Sequence, residues 1–457
     1  MFLLLTLIFL FRFMFGIHST RIIIDNAFVN ATIIIDNGKI AAIKSGAIDE
    51  LGLFIIEAGD DILMAGVIDT HVHINEPGRM NWEGFDTATK AALAGGITSL
   101  VEMPLNASPV TTTLYAFEQK LAATEGKLHT NIGFWGGVIP GNEKEIMQLA
   151  TAGVLGFKAF LTHSGIDEFP NVTEADLDKA MPLIAAAGLP LLVHCELDGP
   201  SISGLNSNPT SYSAYLLSRP RKWEDDAIAM MIRLCRKHNC RTHIVHLSSA
   251  DSLPQILQAK KEGLLLTVET GQHYLYFNAE GIADGHTEFK CAPPIREKEN
   301  NEKLWEALSS GLIDFVATDH SPAPPAMKKI KTGNFMEAWG GIASLQFALP
   351  ALWTAAKKRN INPVRMAQWL CEQPAKLAGL QQTKGRIKVG YDADLVVWNP
   401  DEAFKVEGKN ILHRHPITPY LNEMLFGRVK QTYLSGTKVF DAGNILHLNQ
   451  GKIILHD

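Results

Sequence analysis

Two histidines, His71 and His73, stand one residue apart at the end of an apolar, β-branched run that begins at Gly66. Side chains at positions i and i+2 of a strand point to the same face, so both imidazoles can reach one metal ion. Most isolated His-x-His pairs are ordinary surface or core residues, because a metal site needs several matched ligands. The pair predicts a metal site only if other parts of the chain supply more ligands.

Four further metal-competent side chains lie in separate apolar runs that are typical of strands: Lys158, His194, His246 and Asp319. Each has an ordinary explanation when taken alone. A buried lysine can be paired, a strand histidine can be a satisfied core residue, and an aspartate can cap a loop. These separate explanations do not account for five strands that each carry such a group near one end. Together they indicate a shared metal site.

The elements that must position these groups alternate between apolar strands and longer helical stretches over residues 65–375. The strand candidates are residues 66–73, 98–105, 130–138, 154–161, 191–196, 242–248, 264–269 and 314–320. This succession of βα units predicts an α/β fold, a (β/α)8 barrel of the TIM type. Catalytic groups of that fold lie at the carboxyl ends of the strands, where the six side chains are expected.

Both ends of the chain are β-rich. Residues 21–24 and 31–35 are β-branched runs, and the turn pair at 37–38, Asn-Gly, predicts a hairpin. Similar runs return only at 394–398 and 429–436. We predict a small β-sandwich domain formed by both termini, from residues 20–64 and 376–457, with the metal-dependent hydrolase barrel inserted between them.

Residues 1–19 form a separate segment. Its apolar run, residues 1–17, resembles the apolar part of a signal peptide, but Arg12 interrupts it and no small-residue cleavage site follows. We expect either a start assigned too far upstream or a genuine signal or anchor. The first reading goes with a cytoplasmic protein, and the second with secretion or membrane anchoring. Five cysteines, an odd number without a Cys-x-x-Cys motif, favour a reducing compartment.

Composition and charge narrow the class of partner. The chain carries 42 basic and 48 acidic residues, a formal charge of −6, which argues against a nucleic-acid or stable membrane partner. With 46% apolar and 20% charged residues it is neither disordered nor fibrous. The expected partner is a small, neutral or mildly charged molecule.

Four histidines, one carboxylate and one lysine are too many ligands for a single tetrahedral zinc, but they suit two divalent ions that share ligands. A buried neutral lysine can react with carbon dioxide to form a carbamate, whose two oxygens can bridge a pair of cations. Two such cations that share a hydroxide supply a nucleophile and polarise a carbonyl group. The chemistry indicated is hydrolysis.

These residues resemble the ligand set of the cyclic amidohydrolases, within the amidohydrolase superfamily. The resemblance implies that His71, His73 and Asp319 hold one metal and that His194 and His246 hold the other. It also implies that Lys158, as N6-carboxylysine, bridges the two metals together with a hydroxide, and that Asp319 is the general base. The metals implied are Zn²⁺ first, with Co²⁺ or Mn²⁺ as alternatives, in a homotetrameric enzyme.

Departures from two branches of that family narrow the substrate. Dihydroorotases carry an arginine where this chain has Asn75 and a histidine where it has Ala323. This chain therefore lacks the arginine that would bind a substrate carboxylate. Dihydropyrimidinases and hydantoinases carry a tyrosine shortly after the carboxylated lysine, whereas residues 161–165 here are Leu-Thr-His-Ser-Gly. A dihydropyrimidinase/hydantoinase or dihydroorotase-like cyclic amidase stays the alternative function. A non-catalytic scaffold homologue is a more remote alternative, because such relatives typically lack metal ligands.

The segments 73–79, 103–106, 290–296 and 319–322 resemble the allantoinase branch instead, which opens the ring of allantoin to give allantoate in purine breakdown. Allantoin is uncharged and rich in amides, so Asn106 and backbone groups near Cys291 and Ala292 are candidate substrate contacts. In one departure, residues 269–274 are Glu-Thr-Gly-Gln-His-Tyr, where Cys-Pro is more usual at the two central positions.

Two groups of residues near the expected rim have less specific interpretations. His163, His273 and His320 either support the metal ligands or belong to ordinary loop packing. The run at 328–331, Lys-Lys-Ile-Lys, is expected to be the solvated face of a mobile loop that covers the site.

Overall fold

The computed structural model describes residues 14–199 and 208–456. Five strands precede the barrel: β1 (Phe15–Ile24), β2 (Ala27–Asp36), β3 (Lys39–Ser45), β4 (Phe54–Glu57) and β5 (Ile62–Ala65). Residues 15–19, which fall in the expected N-terminal segment, therefore lie in β1. The rest of that segment, residues 1–13, is outside the described residues. None of the helices described is long and apolar enough to cross a membrane.

The predicted hairpin joins β2 to β3. Asn37 and Gly38 both have positive φ, 50° and 77°, as a two-residue turn between right-twisted antiparallel strands requires. The local sequence therefore fixes the geometry of this hairpin.

Within the described residues, the barrel wall contains β6 (Val67–Val72), β7 (Ile97–Glu102), β8 (Asn131–Phe134), β9 (Gly136–Gly137), β10 (Phe157–Phe160), β11 (Leu191–His194), β12 (Thr242–Ile244), β13 (Leu266–Gly271) and β14 (Phe315–Ala317). Neighbouring strands run parallel, and β8 and β9 are two halves of one strand interrupted at Trp135. The backbone N–H of His73 donates to the carbonyl of His320 at 2.8 Å and links the first strand to the last. The predicted (β/α)8 barrel is thus confirmed.

The helices described are α1 (Phe85–Ala94), α2 (Leu114–Ala123), α3 (Glu143–Ala152), α4 (Glu174–Ala186), α5 (Tyr212–Ser218), α6 (Arg221–His238), α7 (Leu253–Lys261), α8 (Gln272–Tyr276), α9 (Lys298–Ser310), α10 (Ala348–Lys357), α11 (Val364–Ala367) and α12 (Gln373–Leu377). Local signals set several of their ends. Thr173 and Asp176 form a reciprocal capping box at the start of α4, and Gly153 ends α3 in the left-handed conformation. Helices α1 to α4 and α6, α7 and α9 follow barrel strands, as βα units require.

Four strands near the C-terminus complete the second domain: β15 (Leu395–Lys405), β16 (Met424–Leu434), β17 (Thr437–Asp441) and β18 (Asn444–Ile445). They join β1–β5 in one nine-stranded sheet, in the order β18-β17-β16-β15-β5-β1-β2-β3 with β4 beside β1. The predicted composite domain of both termini is confirmed.

The sheet curls so that its two ends face each other, which gives the sandwich-like form. Phe15 stacks on Tyr433 with ring centroids 6.5 Å apart, and the backbone N–H of Ala393 donates to the carbonyl of Gly38 at 2.8 Å. Buried residues from both termini, such as Ile17 and Leu395, share one apolar cluster inside the curl. This burial of apolar surface holds the two ends of the chain together.

The last residues of the chain leave the sheet and return to the barrel. The N–H groups of Gly451 and Ile454 donate to the carbonyls of Leu128 and Ile132, at 3.0 and 2.7 Å. Part of the segment predicted for the β domain, residues 376–457, therefore lies along barrel strand β8.

Candidate active site

Each of the six predicted ligands lies at or beside the carboxyl end of a barrel strand. His71 and His73 lie at the end of β6, and Lys158 lies within β10. The other three are His194, which is the last residue of β11, and His246 and Asp319, which follow β12 and β14 by two residues. All six are buried. The structure therefore brings the whole predicted set to one end of the barrel.

Their side chains converge on a common centre. The ligand atoms of His71, His73 and Asp319 lie within 4.8 Å of one another. Asp319 Oδ1 is 3.3 Å from Nε2 of His71 and 3.9 Å from Nε2 of His73. The imidazole of His246 connects the two halves of the site, because its centroid is 5.2 Å from that of His71 and 4.7 Å from that of His194. These spacings fit groups that share a pair of cations.

A buried carboxylate fixes the orientation of His71. Its Nδ1–H donates to Oε1 of Glu269 at 2.5 Å, and His243 Nε2–H donates to Oε2 of the same residue at 3.2 Å. Although burial opposes ionisation, the attraction of His71 and the hydrogen bonds from both histidines hold the pKa of Glu269 well below its usual range. Because Nδ1 of His71 donates to Glu269, the lone pair of the ring is on Nε2. This atom faces the same side as Asp319 and is free to bind a cation between them. This carboxylate–histidine arrangement is typical of metal sites.

A second buried carboxylate fixes the orientation of His194, but through Nε2 of the ring and not through Nδ1. The Nε2–H of His194 donates to Glu196 Oε2 at 2.8 Å, which leaves Nδ1 free. Arg219 donates to both oxygens of Glu196, with the Nε contact at 3.0 Å. Burial alone would raise the pKa of Glu196, but the charge of Arg219 lowers it to about 2. The ionised carboxylate can therefore hold His194 as a neutral ligand.

Lys158 is the most unusual group in the site. Its Nζ is buried and has no hydrogen-bond partner among the described residues. Burial lowers the pKa of Lys158 to about 8, although the charges of Glu269 and Asp319 oppose the shift. The neutral form of this unpaired amine is thus more accessible than that of an ordinary lysine, which fits the requirements of a carbamate that would bridge two metal ions.

Asp319 is also suited to a cationic centre. Burial raises the pKa of its carboxyl group well above the usual range, so the charged form needs a nearby cation. Its φ is 47°, in the left-handed region that Asp and Asn tolerate better than most residues. The preceding residue, Thr318, donates from Oγ1 to Asp69 Oδ2 at 2.5 Å and ties the strand end to β6. The strand predicted over 314–320 ends early because of this turn.

A cavity of about 650 Å³ opens onto these groups. Of the predicted substrate contacts, Asn106 and Ala292 line it, whereas Cys291 is not among the lining residues. The carbonyl of Cys291 instead accepts a hydrogen bond from the Tyr215 hydroxyl at 2.6 Å. Nδ2 of Asn106 lies 3.4 Å from Nδ1 of His73, so this amide also contacts a predicted ligand.

The other singled-out residues have varied environments. Asn75 is buried away from the cavity lining, and its Nδ2 donates to the carbonyl of Pro322 at 3.4 Å. His320 Nδ1 accepts from the backbone N–H groups of Ser344 and Leu345, and His163 lies at the cavity edge. His273 is buried with neither ring nitrogen hydrogen-bonded within the described chain. His320 thus supports the loop that follows β14.

Lys328 contradicts the expectation of a solvated loop face. Its ammonium group is buried and donates to three backbone carbonyls. Of the other two lysines in the run, Lys331 is exposed as expected, while Lys329 is partly buried. The charge of Lys328 is satisfied by carbonyl dipoles, a possibility that the polar composition of the run does not reveal.

Sequence reasoning assigned no role to Glu196, Arg219 or Glu269. Glu196 had a usable signal, because it follows His194 by two residues and thus lies on the same face of an extended segment. Glu269 lies 198 residues from His71 in the chain, and no local pattern connects them. Arg219 reaches the site from α5–α6, outside the strands, so only the fold reveals it.

A barrel that gathers these groups at its catalytic end has the architecture of a barrel hydrolase. Residues 62–439 match the model of the amidohydrolase family. The chain is 45% identical to an allantoinase of Streptomyces avermitilis over 93% of this chain and 95% of that one. It is 41% identical to the Arabidopsis thaliana allantoinase over 94% of this chain and 88% of the relative.

A solved structure of the L-hydantoinase (dihydropyrimidinase) from Arthrobacter aurescens superposes with a TM-score of 0.91 at 31% identity, covering 97% of this chain and 100% of that one. The chain belongs to the amidohydrolase family and, within it, to the allantoinases. It is a hydrolase that acts on cyclic amides. The family and the cluster of His71, His73 and Asp319 imply a metal centre in this site.

Proposed function

We propose that this enzyme hydrolyses the ring amide of allantoin to give allantoate, a step of purine breakdown. The observation that carries the proposal is the convergence of the six predicted ligands at one end of the barrel, where all but Lys158 line one cavity. The relatives of the chain over nearly its full length are allantoinases. A non-catalytic scaffold would have no need to keep such a set of buried polar groups together.

For the metal centre, we propose two divalent cations, preferably Zn²⁺, with Co²⁺ or Mn²⁺ as alternatives. One would be held by His71, His73 and Asp319 and the other by His194 and His246, with carboxylated Lys158 shared between them. When bound, the cations supply Lewis acidity, which lowers the pKa of water and polarises the amide carbonyl. Within the described residues, Nζ of Lys158 and Nδ1 of His246 have no hydrogen-bond partner, which supports this assignment.

The protein's own groups then handle the proton. Asp319 is proposed as the general base that accepts a proton from the attacking water while the new C–O bond forms. The same carboxyl group returns that proton to the ring nitrogen as the C–N bond breaks. Glu269 and Glu196 do not touch the substrate, because each is hydrogen-bonded to a histidine that it orients. They are positioning residues.

Substrate binding is proposed to rely on neutral hydrogen-bonding groups of the cavity. The amide of Asn106 and the backbone of Ala292 line it and suit an uncharged, amide-rich ring. The carbonyl of Cys291 is already used by Tyr215, so we assign it no contact. No arginine occupies position 75, consistent with a substrate that carries no carboxylate.

We also propose a homotetramer in the cytoplasm. The tetramer rests on the family resemblance, and sedimentation equilibrium tests it. All five cysteines are buried free thiols, which supports a reducing compartment, and fractionation of the cells tests that location.

A substrate panel tests the proposed function. We expect metal-loaded enzyme to hydrolyse allantoin with a kcat/KM about a hundredfold or more above that for dihydrouracil, unsubstituted hydantoin or dihydroorotate. The reason is that buried groups of the cavity that pair with the ureido substituent are left unpaired by the smaller rings. Hydrolysis of dihydrouracil or a 5-substituted hydantoin with allantoin untouched would instead assign the enzyme as a hydantoinase, in line with the L-hydantoinase that shares its fold.

A further inference from the structure

Residues 321–341 form a long excursion that covers one side of the cavity. Its ends meet, because His320 and Ile342 pair in a β-bridge, and the residues between them form neither helix nor strand. Met327, Met336 and Trp339 of this segment line the cavity. Structureless segments of such length in compact domains are usually functional. We call residues 336–341 of this excursion the cavity wall.

The buried Nζ of Lys328 donates hydrogen bonds to the cavity wall on the side away from the cavity. Lys328 is only 3% exposed, and its Nζ donates to the carbonyls of Trp339 at 3.1 Å and Gly341 at 2.8 Å. The third bond goes to the carbonyl of Lys290 at 3.1 Å, on the loop before α9. No carboxylate lies within ion-pair distance of this lysine among the described residues. All three N–H groups are therefore committed to holding backbone.

Lys290 holds the same wall from the cavity side. Its Nζ donates to the carbonyls of Ala338 at 2.6 Å and Met336 at 3.3 Å, and it lies 5.1 Å over the ring of Tyr215. Its backbone carbonyl also accepts from the N–H of Gly341 at 2.9 Å. The two lysines thus donate to four carbonyls of the cavity wall, and the side chain of Lys328 also donates to the backbone carbonyl of Lys290.

We propose that Lys290 and Lys328 are positioning residues that keep the cavity wall in a fixed, substrate-complementary shape and thereby set substrate affinity. Hydrogen bonds from the two lysines fix the wall carbonyls, and loops held in a bound shape before the ligand arrives avoid an ordering cost on binding. Trp339 is additionally held from the other side by Trp82, whose ring centroid is 4.8 Å away in an edge-to-face contact. The excursion is a fixed wall under this account and not a mobile lid.

Lys328→Met tests the proposal, because methionine keeps the length and apolar stem and removes the charge and all three donors. We expect KM for allantoin to rise about tenfold with kcat changed by less than about threefold, since the wall does not touch the reacting atoms. Metal content should be unchanged. Hydrogen exchange of the Trp339 and Gly341 amides should become faster, because their bonds to Met327 and Lys290 depend on the wall. Lys331→Met, at an exposed position, is the matched control and should leave all four readouts unchanged.

The outcomes are distinguishable. Unchanged KM and unchanged amide exchange in folded Lys328→Met would overturn the proposal, and so would loss of metal with KM constant. If Lys328→Met does not fold, Lys290→Met is judged by amide exchange, because it removes the bonds to Met336 and Ala338 and the contact over Tyr215, while Lys290 itself lines the cavity. The kinetic part rests on the proposed function, but the exchange readout does not. If the wild-type enzyme does not hydrolyse allantoin, the proposed function is contradicted. The role of the two lysines in the wall is then tested by amide hydrogen exchange alone.

Discussion

Lys158→Ala is expected to abolish hydrolysis of allantoin while leaving the fold intact. The Nζ of Lys158 has no hydrogen-bond partner in the described chain, so no hydrogen bond is lost with it, and its contact is with the ring of Phe160 at 4.9 Å. Alanine cannot form the carbamate, and without that bridge the two metals lose a shared ligand. We expect kcat to fall by about three orders of magnitude or more, together with loss of bound metal. Steady-state kinetics, elemental analysis and thermal unfolding of the metal-free forms measure the three effects.

The matched control is Lys144→Ala, at an exposed position of α3, which should retain full activity and metal. Lys158→Met separates charge from volume, because it fills the space of the lysine without an amine and should be as inactive as alanine. Retention of full turnover by either Lys158 variant would reject the bridging role. A large fall in the unfolding temperature of the metal-free variant would assign Lys158 to the core instead.

Asp319→Asn should produce the second large loss. The substitution keeps the shape of the side chain and a residue type that tolerates the φ of 47° at this position, so the backbone turn is preserved. It removes the carboxylate that lies 3.3 Å from Nε2 of His71. Because an amide accepts no proton, we expect kcat to fall by about a thousandfold with KM nearly unchanged. Initial rates with saturating allantoin measure the change.

Asp49→Asn is the control, since Asp49 is an exposed aspartate between β3 and β4 and does not line the cavity. It should behave as the parent enzyme. An Asp319→Asn enzyme with more than about a tenth of the parent kcat would show that another group carries the proton.

Much of the ligand set could be predicted from sequence because strand periodicity and barrel topology act together. An apolar run places its side chains on alternating faces, and parallel strands bring their carboxyl ends to the same rim. His71, Lys158 and His194 lie in strands as expected. His246 and Asp319 lie just beyond shorter strands, because both have positive φ, 37° and 47°, which ends the extended conformation. The rim position was predictable, whereas the turn that aims each side chain was not.

The residues that orient these groups were less accessible to sequence reasoning. Glu269 and His71 meet only because β14 lies between β13 and β6 in the closed wall, so these strands are neighbours but one, a relation that depends on closure. Lys328 illustrates a different limit. A lysine-rich run normally indicates a solvated face. Carbonyls from distant turns satisfy the Lys328 charge, and no composition or spacing predicts where those carbonyls will point.

The substrate contacts were only partly predictable from sequence, because tertiary contacts also decide which loop residues reach the cavity. Asn106 and Ala292 reach the cavity, but the carbonyl of Cys291 accepts a hydrogen bond from Tyr215 of α5. Asn75, two positions after His73, turns away from the cavity toward Pro322. Side-chain direction in loops depends on tertiary contacts, so motif position alone does not identify what touches a substrate.

The most direct test of the two-metal allantoinase account is a metal titration of the metal-free enzyme followed by the rate of allantoate formation. The chelated protein should be inactive, and activity should rise with added Zn²⁺ until about two equivalents per chain are bound, in the presence of bicarbonate to carboxylate Lys158. Lys158→Ala should show no rise at any metal concentration. Full allantoin turnover by the metal-free enzyme, or saturation of the wild type at a single equivalent, would contradict the account.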